Sequence, residues 1–184
     1  MFWNVFGKYD TAEKLYKLSQ RVDSGDSKNI EGQSAKIYFE ELFQKGFNRN
    51  HENVYNACLD YGYTILRGAI ARSIVKYGYI PCLGLHHKNE LNNYNLADDF
   101  IEPFRPIVDL WTVQNVSLNM EFSSELRKNL VDLLNYDVII DKKRQCVINA
   151  INIMLSSFTT SIQSKDYQKL MVPVLVPLER HLYE

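Results

Sequence analysis

The chain contains few cysteines, and their spacing argues against two kinds of stabilised fold. Only three occur, Cys58, Cys82 and Cys146, and no two of them form a CxxC pair. A zinc ribbon is built from such pairs, and a disulfide framework usually has an even number of cysteines, so neither is indicated. Unpaired thiols are typical of a reducing compartment, and we therefore expect a cytoplasmic protein.

Long apolar runs and an excess of basic charge are also missing. No stretch approaches the roughly 18 apolar residues that a membrane span needs, and the first ten residues, MFWNVFGKYD, lack the layout of a signal peptide. We therefore expect no membrane partner. The formal net charge is −1, whereas a dedicated nucleic-acid binder usually carries a basic excess. This argues against strong DNA binding by the chain alone and leaves room for a local basic groove.

Helical periodicity runs through most of the sequence, and apolar residues make up 46 % of it, which is enough for a substantial core. The pattern predicts an all-α, multi-helix globular domain. Helices are expected over 11–22, 31–47, 52–79, 95–116, 123–135, 143–163 and 166–184. The stretch YDVIID, at 136–141, is consistent with either a short strand or an extended connection.

Glycine and proline modify these helices at particular positions. The long apolar stripe of the helix over 52–79 predicts that this helix is central and mostly buried. Gly62 and Gly68 lie inside it, and close backbone packing would explain both glycines. Pro103 and Pro106 are expected to bend or divide the helix over 95–116.

Three carboxylates and two histidines lie close together in the stretch LGLHHKNELNNYNLADDFIEPFRP. Asp98 and Glu102 are spaced i,i+4 and Asp99 and Glu102 i,i+3, so either pair lies on one helical face. Carboxylates this close repel unless a cation or a shared proton separates them. Mg²⁺ and Mn²⁺ prefer oxygen ligands, and Mn²⁺ also accepts an imidazole such as that of His86 or His87.

The same residues also have an ordinary structural explanation. Asn95 is a good N-cap residue, and Asp98 would then favour the positive end of the helix dipole. Glu102 would pair with Arg105 one turn further on, and the histidines would be loop residues. On spacing alone, both explanations stay open.

Glu31 adds a further carboxylate at the start of another predicted helix. Its position there is also explained by the helix dipole. Gly32, however, removes side-chain bulk next to it, as a site that admits a ligand would require.

Three further stretches follow one another along the chain: DSKNIEGQSAKIYF, VYNACLDYGYTILRGAIARSIVKYGYIPCLGLHH and NLADDFIEPFRPIVD. Together they resemble the universal CRISPR-associated integrase, the endonuclease that inserts new spacers into CRISPR arrays, in the form that accompanies type II systems. They occur in the family's order, and each is several residues long, so the signal is specific.

The resemblance implies a metal-dependent active site. Its metal ligands and catalytic residues would be Glu31, His87 and Glu102, with Asp99 as an auxiliary acid and His86 as a DNA contact. The ion would be Mg²⁺ or Mn²⁺, and it would activate a DNA 3′-hydroxyl for attack on a phosphodiester. We therefore expect the side chains of the three ligands to converge around one ion.

Several basic side chains are candidates for contacts with the DNA backbone, where charge and position are sufficient. For each of them a solvated helix face or an ion pair is an equally good explanation. Tyr61 and Tyr63 are interpreted as core residues rather than base-stacking ones. The basic candidates are Lys36, Arg67, Arg72, Lys88 and Arg105.

The chain departs from the family in one respect. Full-length members begin with a β-rich domain that pairs two subunits, and no strand-like alternation of that kind is seen here. Residues 1–25 resemble the family's inter-domain region, and 26–184 the helical catalytic domain. The resemblance also implies as partners double-stranded DNA (prespacer and CRISPR repeat), a second copy in the full-length protein, and a small ferredoxin-like protein.

Two alternative functions remain to be weighed. The first is a non-catalytic DNA-scaffolding or assembly domain that is inactive without the missing β-domain. The second is a two-iron oxidoreductase, which the sequence argues against because such sites need paired ExxH motifs on facing helices, and none is present.

Overall fold

Seven α-helices account for most of the part of the chain that the computed structural model describes, residues 2–23 and 25–183. A π-helical turn at Phe2–Phe6 precedes them. The helices are α1 (Tyr9–Ser19), α2 (Ile30–Leu42), α3 (Val54–Lys76), α4 (Asn95–Ile101), α5 (Arg105–Asn115), α6 (Ser124–Asp132) and α7 (Val147–Ser164).

The predicted division of the helix over 95–116 is confirmed. α4 ends at Ile101 and α5 begins at Arg105. Pro106 lies within the first turn of α5, where its missing N–H would have had no partner within the helix. The break places Glu102 at the C-cap of α4, at the corner between the two helices.

α3 is the central helix, as its apolar stripe predicts. Leu59 and Ile70 are fully buried, and α3 packs against α4, α5, α6 and α7. A Cβ at Gly62 would lie 2.4 Å from Cγ1 of Val108 on α5, so close packing of the two helices requires this glycine. A Cβ at Gly68 would meet no atom within 4 Å, so the packing explanation fits Gly62 only.

The prediction of an all-α fold is wrong, because the C-terminal part contains a three-stranded antiparallel sheet. Its strands are β1 (Tyr136–Ile140), β2 (Lys143–Cys146) and β3 (Val174–Arg180), in the order β2-β1-β3. Asp141 and Lys142 join β1 to β2 with φ values of 51° and 61°. Positive φ at both positions is typical of the tight turn that matches the twist of a hairpin. Of the two interpretations of YDVIID, the strand is therefore correct.

Two predicted helices are affected by this sheet. The helix over 143–163 begins only at Val147, because the preceding residues form β2. The helix over 166–184 is absent: residues Tyr167–Lys169 form a short 3₁₀ turn, and β3 follows. Pro177 would break a helix but is tolerated in β3, which lies at an edge of the sheet.

Polar contacts join the strands of this sheet to one another, and a shared core attaches the sheet to the helices. Buried Asp137 on β1 contacts Nδ1 of His181 at 2.6 Å and Nη1 of Arg144 at 3.3 Å. Val138 and Leu175 join the hydrophobic cluster of the helices. The N-terminal turn contacts β3. The division of the chain into an inter-domain segment, 1–25, and a catalytic domain, 26–184, stays a prediction. Among the described residues, no helix has both the length and the apolar character needed to cross a membrane.

Candidate functional site

A cavity of about 650 Å³ lies between α2, α3, α4 and α5. α2, α3 and the α4–α5 corner each contribute to its lining. Charged and aromatic side chains from all of these elements line the cavity, among them Tyr38, Arg49, Asp60, Tyr63, Arg67, Asp98, Glu102, Arg105 and Asp109. Three of the nine are arginines, so the cavity combines carboxylates with basic side chains.

Asp99 on α4 holds the loop that carries the two histidines. Its carboxylate accepts hydrogen bonds from the backbone N–H groups of Leu85 at 2.5 Å, His86 at 3.2 Å and His87 at 3.1 Å. It also contacts Nδ1 of His87 at 2.7 Å. Burial alone would raise the pKa of Asp99, but these hydrogen bonds hold it below its ordinary value.

This contact determines how the imidazole of His87 is presented. An ionised Asp99 can only accept, so Nδ1 of His87 carries the proton and donates it. In the neutral imidazole, the opposite ring nitrogen, Nε2, then keeps its lone pair. Metal-binding histidines are commonly oriented by a carboxylate in this way.

Tight packing fixes the same loop from below. A Cβ at Gly84 would lie 2.2 Å from the carbonyl oxygen of His87 and 2.8 Å from Cβ of Asn95.

The prediction of Asn95 as an N-cap is wrong, because Asn95 is the first helical residue and Tyr94 is the N-cap. The buried amide of Asn95 instead donates to the carbonyls of Cys82 at 3.0 Å and Asn89 at 2.8 Å.

Glu102 lies at the α4–α5 corner, close to several charges. Partial desolvation raises the pKa of Glu102 although 54 % of its side chain is exposed, whereas Arg105 and His87 lower it. Glu31 and Asp98 raise it further by repulsion. The carboxyl group of Glu102 therefore lies within electrostatic range of both His87 and Glu31. Within 2–23 and 25–183, however, no three His, Cys, Asp or Glu side chains are arranged to hold one metal ion.

Glu31 is exposed in the first turn of α2. Asp26 caps this helix by accepting hydrogen bonds from the backbone N–H groups of Ile30 at 2.7 Å and Glu31 at 2.9 Å. A Cβ at Gly32 would lie 2.4 Å from the side-chain oxygen of Asn29. This glycine therefore makes room for Asn29, and it lends no support to ligand access beside Glu31.

The basic candidates fall into two groups. Arg67 and Arg105 line the cavity, whereas the others are exposed outside its lining: Lys36, Arg72, His86 and Lys88. Nη1 of Arg105 lies 3.3 Å from Glu102, so the predicted ion pair exists. Both side chains are partly exposed, and such a pair contributes at most about 1 kcal/mol. Nε of Arg105 is buried and has no hydrogen-bond partner in the described structure.

Asp98 has structural partners of its own. Nδ2 of Asn92 donates to it at 2.7 Å, and Nη1 of Arg67 lies 3.9 Å away. The Arg67 guanidinium lies over the ring of Tyr94, 5.1 Å from its centroid. Asp98 therefore helps to hold Arg67 at the cavity wall.

A buried carboxylate at the cavity floor was missed by reasoning from the sequence. Asp109 is 2 % exposed and accepts hydrogen bonds from the hydroxyls of Tyr38, at 2.5 Å, and Tyr63. Burial raises the pKa of Asp109 to about 6, although the two tyrosines and the charges of Arg49 and Arg105 oppose this. An acidic residue within the apolar run IVDLW was the signal that could have found it.

Arg49 was also missed, and no sequence signal marks it because it lies in a loop. It donates to Oδ1 of Asn56 at 2.6 Å and pairs with Asp60. Its guanidinium lies 5.6 Å from the ring centroid of Tyr63. Two residues of α3 thus hold it in place beside the cavity.

Comparisons with known proteins relate this geometry to one family. Residues 7–131 match the family described as CRISPR associated protein Cas1. The chain is 40 % identical over 176 residues to the CRISPR-associated endonuclease Cas1 of Neisseria meningitidis serogroup C (strain 8013), covering 94 % of this chain and 58 % of that protein. It is 30 % identical over 113 residues to a CRISPR-associated endonuclease Cas1 of Pyrobaculum aerophilum, covering 57 % of this chain and 37 % of that one.

A solved structure extends the comparison to the fold. A casposase bound to integration product superimposes with a TM-score of 0.62 and 22 % sequence identity, covering 85 % of this chain and 61 % of the casposase chain. At this identity the likeness concerns the fold alone. The chain spans less than two thirds of the length of each of these relatives.

Proposed function

The chain belongs to the CRISPR-associated Cas1 family, and on that premise we propose that it is a metal-dependent DNA endonuclease and integrase domain. The reaction is attack of a DNA 3′-hydroxyl on a phosphodiester, which inserts new spacer DNA into a CRISPR array. The partners implied by the resemblance, namely prespacer and repeat DNA, a second copy and a small ferredoxin-like protein, are part of the proposal.

The observation that carries the proposal is the contact between Asp99 and His87. Asp99 fixes the ring of His87 and leaves Nε2 available to an ion, as expected of an imidazole ligand. The repulsion that Glu31 exerts on Glu102 supports the same assignment, because a cation between the two carboxylates would relieve it. Glu31, His87 and Glu102 are therefore the proposed ligands, and one nitrogen with two carboxylates suits Mn²⁺ or Mg²⁺.

The side chains around the proposed ion position have separate roles in the reaction. An ion bound here would supply Lewis-acid stabilisation of the charge that develops on the phosphate oxygens. Asp99 keeps the proton of His87 on Nδ1 and so holds Nε2 ready. Arg105 and Arg67 at the cavity wall provide positive charge for the phosphates of a DNA strand.

DNA binding through such contacts has a characteristic dependence on salt. Each phosphate neutralised by an arginine or lysine releases condensed counterions, so affinity falls as the salt concentration rises. Lys36, Arg72, His86 and Lys88 lie outside the cavity lining and would follow the flanking duplex. Replacing any one of them should weaken binding without changing the dependence on metal.

A cleavage and strand-transfer assay tests the proposal. A branched DNA carrying a free 3′-hydroxyl is incubated with the chain and Mn²⁺. Glu102→Gln is the test variant, and Glu125→Gln, at an exposed position of α6, is the matched control. We expect Mn²⁺-dependent products from the wild type and the control, and roughly 100-fold less product from Glu102→Gln. Equal product from both variants would contradict the proposed site.

A second candidate is a DNA-scaffolding domain without catalysis of its own. It is favoured by one observation, that the described residues contain no three-ligand cluster already arranged around an ion position. This candidate predicts that the chain binds DNA with the same affinity in the presence and absence of Mn²⁺. It also predicts no product in the assay, from the wild type as well as from the variants.

A further inference from the structure

The helix that carries Glu31 is attached to the rest of the molecule by few contacts. α2 buries only Ile30 and Leu42 among its described side chains, and its backbone packs against α1, which buries none. α3, by contrast, buries residues along its whole length. The position of α2 is therefore set by a small number of side-chain contacts.

Aromatic stacking holds the C-terminal end of α2. The ring of Phe43 lies 4.5 Å from that of Phe47 and 5.0 Å from that of Tyr55 on α3, centroid to centroid. Phe39 stacks on the same group, 5.7 Å from Phe47. These contacts fix the end of α2 that is remote from Glu31, whereas the buried side chain of Ile30 anchors its first turn.

We propose that the hydrogen bond from Tyr38 to Asp109 sets the position of α2, and with it Glu31, relative to Glu102, in addition to the apolar contacts of this helix. Tyr38 is on α2 and Asp109 is on α5, and their oxygens are 2.5 Å apart. The inference rests on the proposed function, since it gives Tyr38 and Asp109 a positioning role for the proposed metal ligands.

The spacing of the four residues supports this role. Tyr38 follows Glu31 by seven residues, which is nearly two helical turns, or about 10 Å along the axis, so both lie on one face of α2. Asp109 lies in the second turn of α5, which begins three residues after Glu102. On α2, the hydrogen bond therefore lies about two turns from Glu31, whose charge acts on Glu102.

The surroundings of Asp109 make this bond a firm one. At 2 % exposure, water does not compete for the carboxylate, and hydrogen bonds to a charged group are stronger than those between neutral groups. Tyr63 on α3 donates to the other carboxylate oxygen and so orients it towards Tyr38. Because α3 is the central buried helix, the hydroxyl of Tyr63 holds the Asp109 carboxylate in a fixed position.

The two tyrosines provide a matched pair of variants. Tyr38→Phe and Tyr63→Phe each remove one hydroxyl from the same buried carboxylate, so both should reduce stability to a similar extent. Only Tyr38→Phe removes the link to α2. Spin labels at Gln33 on α2 and Gln114 on α5, both exposed, report the separation of these helices in a background with exposed Cys82 replaced by serine.

The outcomes of the distance measurement decide the inference. We expect the distribution of label separations to broaden or shift in Tyr38→Phe and to stay as in the wild type in Tyr63→Phe. An unchanged distribution in Tyr38→Phe, or the same broadening in both variants, would overturn the positioning role. Circular dichroism on each variant confirms that the compared proteins are folded.

Binding of Mn²⁺ to the same proteins separates this inference from the proposed function. We expect Tyr38→Phe to bind Mn²⁺ about 3- to 10-fold more weakly than Tyr63→Phe, consistent with a loss of ligand positioning. If the distances change as expected but the wild type binds no Mn²⁺, the positioning of α2 stands and the metal-site proposal fails. If Mn²⁺ binds equally to both variants, the role of Tyr38 in placing Glu31 is refuted.

Discussion

The two sides of the candidate site are built in different ways. On the side of His87, four contacts to Asp99 and the tight packing around Gly84 fix the loop. On the side of Glu31, an exposed side chain projects from a helix that buries few residues. The comparison indicates that one half of the site is organised before any ligand arrives. The other half depends on a hydrogen bond some distance from the proposed ligands.

The difference also explains why the part of the chain that the structure describes holds no ready-made cluster of three ligands. Glu31 and Glu102 repel each other in the absence of a cation. α2, which buries only two side chains, can relieve that repulsion by a small displacement, whereas four contacts to Asp99 hold the histidine loop. We expect an ion, or DNA phosphates with an ion, to draw the two sides together.

The largest expected effect comes from Asp109, the partner of Tyr38 on α2, and concerns how the stability of the protein depends on pH. Burial raises the pKa of Asp109 from 3.8 to about 6, so between these values the folded protein binds more protons than the unfolded chain. Its free energy of unfolding therefore falls as the pH rises through this window, by roughly 3 kcal/mol in total. Asp109→Asn should remove this decline.

Urea unfolding of the wild type and Asp109→Asn at several values from pH 3.5 to 7 measures the effect. The quantity of interest is the difference between the two proteins, because other carboxylates titrate in both. A difference that does not change with pH would mean that Asp109 keeps an ordinary pKa in the folded protein.

A somewhat smaller effect is expected on the histidine side. Asp99→Asn replaces an acceptor-only group by an amide that cannot satisfy all four donors, so His87 loses its fixed tautomer. We expect the affinity for Mn²⁺ to fall about 10- to 100-fold, measured by calorimetry. Asp98→Asn is the control, since Asp98 contacts Asn92 and Arg67 rather than His87. Equal losses in both variants would refute the role of Asp99.

Gly84→Ala tests the packing beneath the histidine loop. Its Cβ would come within 2.2 Å of the carbonyl oxygen of His87, so the loop must shift. Overpacking of this kind costs about 1 to 3 kcal/mol. We expect a lower midpoint in urea together with weaker Mn²⁺ binding. Unchanged binding would show that the loop accommodates the methyl group without moving His87.

The smallest effect is expected at Gly68, an exposed position in the middle of the otherwise largely buried helix α3. A Cβ there meets nothing within 4 Å, so alanine should stabilise the helix by up to about 1 kcal/mol. Gly62→Ala, which would meet Val108 at 2.4 Å, should destabilise the protein instead. Thermal unfolding shows whether each variant is more or less stable than the wild type. A loss of stability in Gly68→Ala would contradict the open space found around this position.

Helical periodicity was sufficient to predict the helices that carry the candidate site, α2 to α5. The stripe on α3 and the prolines after Glu102 predicted a central helix and a divided α4–α5, and both are observed. The sheet was missed for a physical reason: a short apolar run such as LMVPVLVPLE is compatible with helix or strand until its pairing partner is known. The pairing of β3 with β1 is a long-range contact that periodicity does not report.

The candidate site was predicted in part. Spacing put Asp99 and Glu102 on one helical turn, and the resemblance to the family singled out His87 and Glu31. The contact between Asp99 and His87 spans a loop whose course depends on the packing of Gly84 and Asn95, and spacing does not reveal that course. Asp109 escaped notice because its partners, Tyr38 and Tyr63, come from two other helices.

Locating Mn²⁺ by anomalous scattering in crystals of this chain tests the central claim most directly. We expect one ion in contact with His87 Nε2 and the carboxylates of Glu102 and Glu31, with no corresponding peak in Glu102→Gln. No peak at millimolar Mn²⁺, or a peak remote from the side chain of His87, would contradict it.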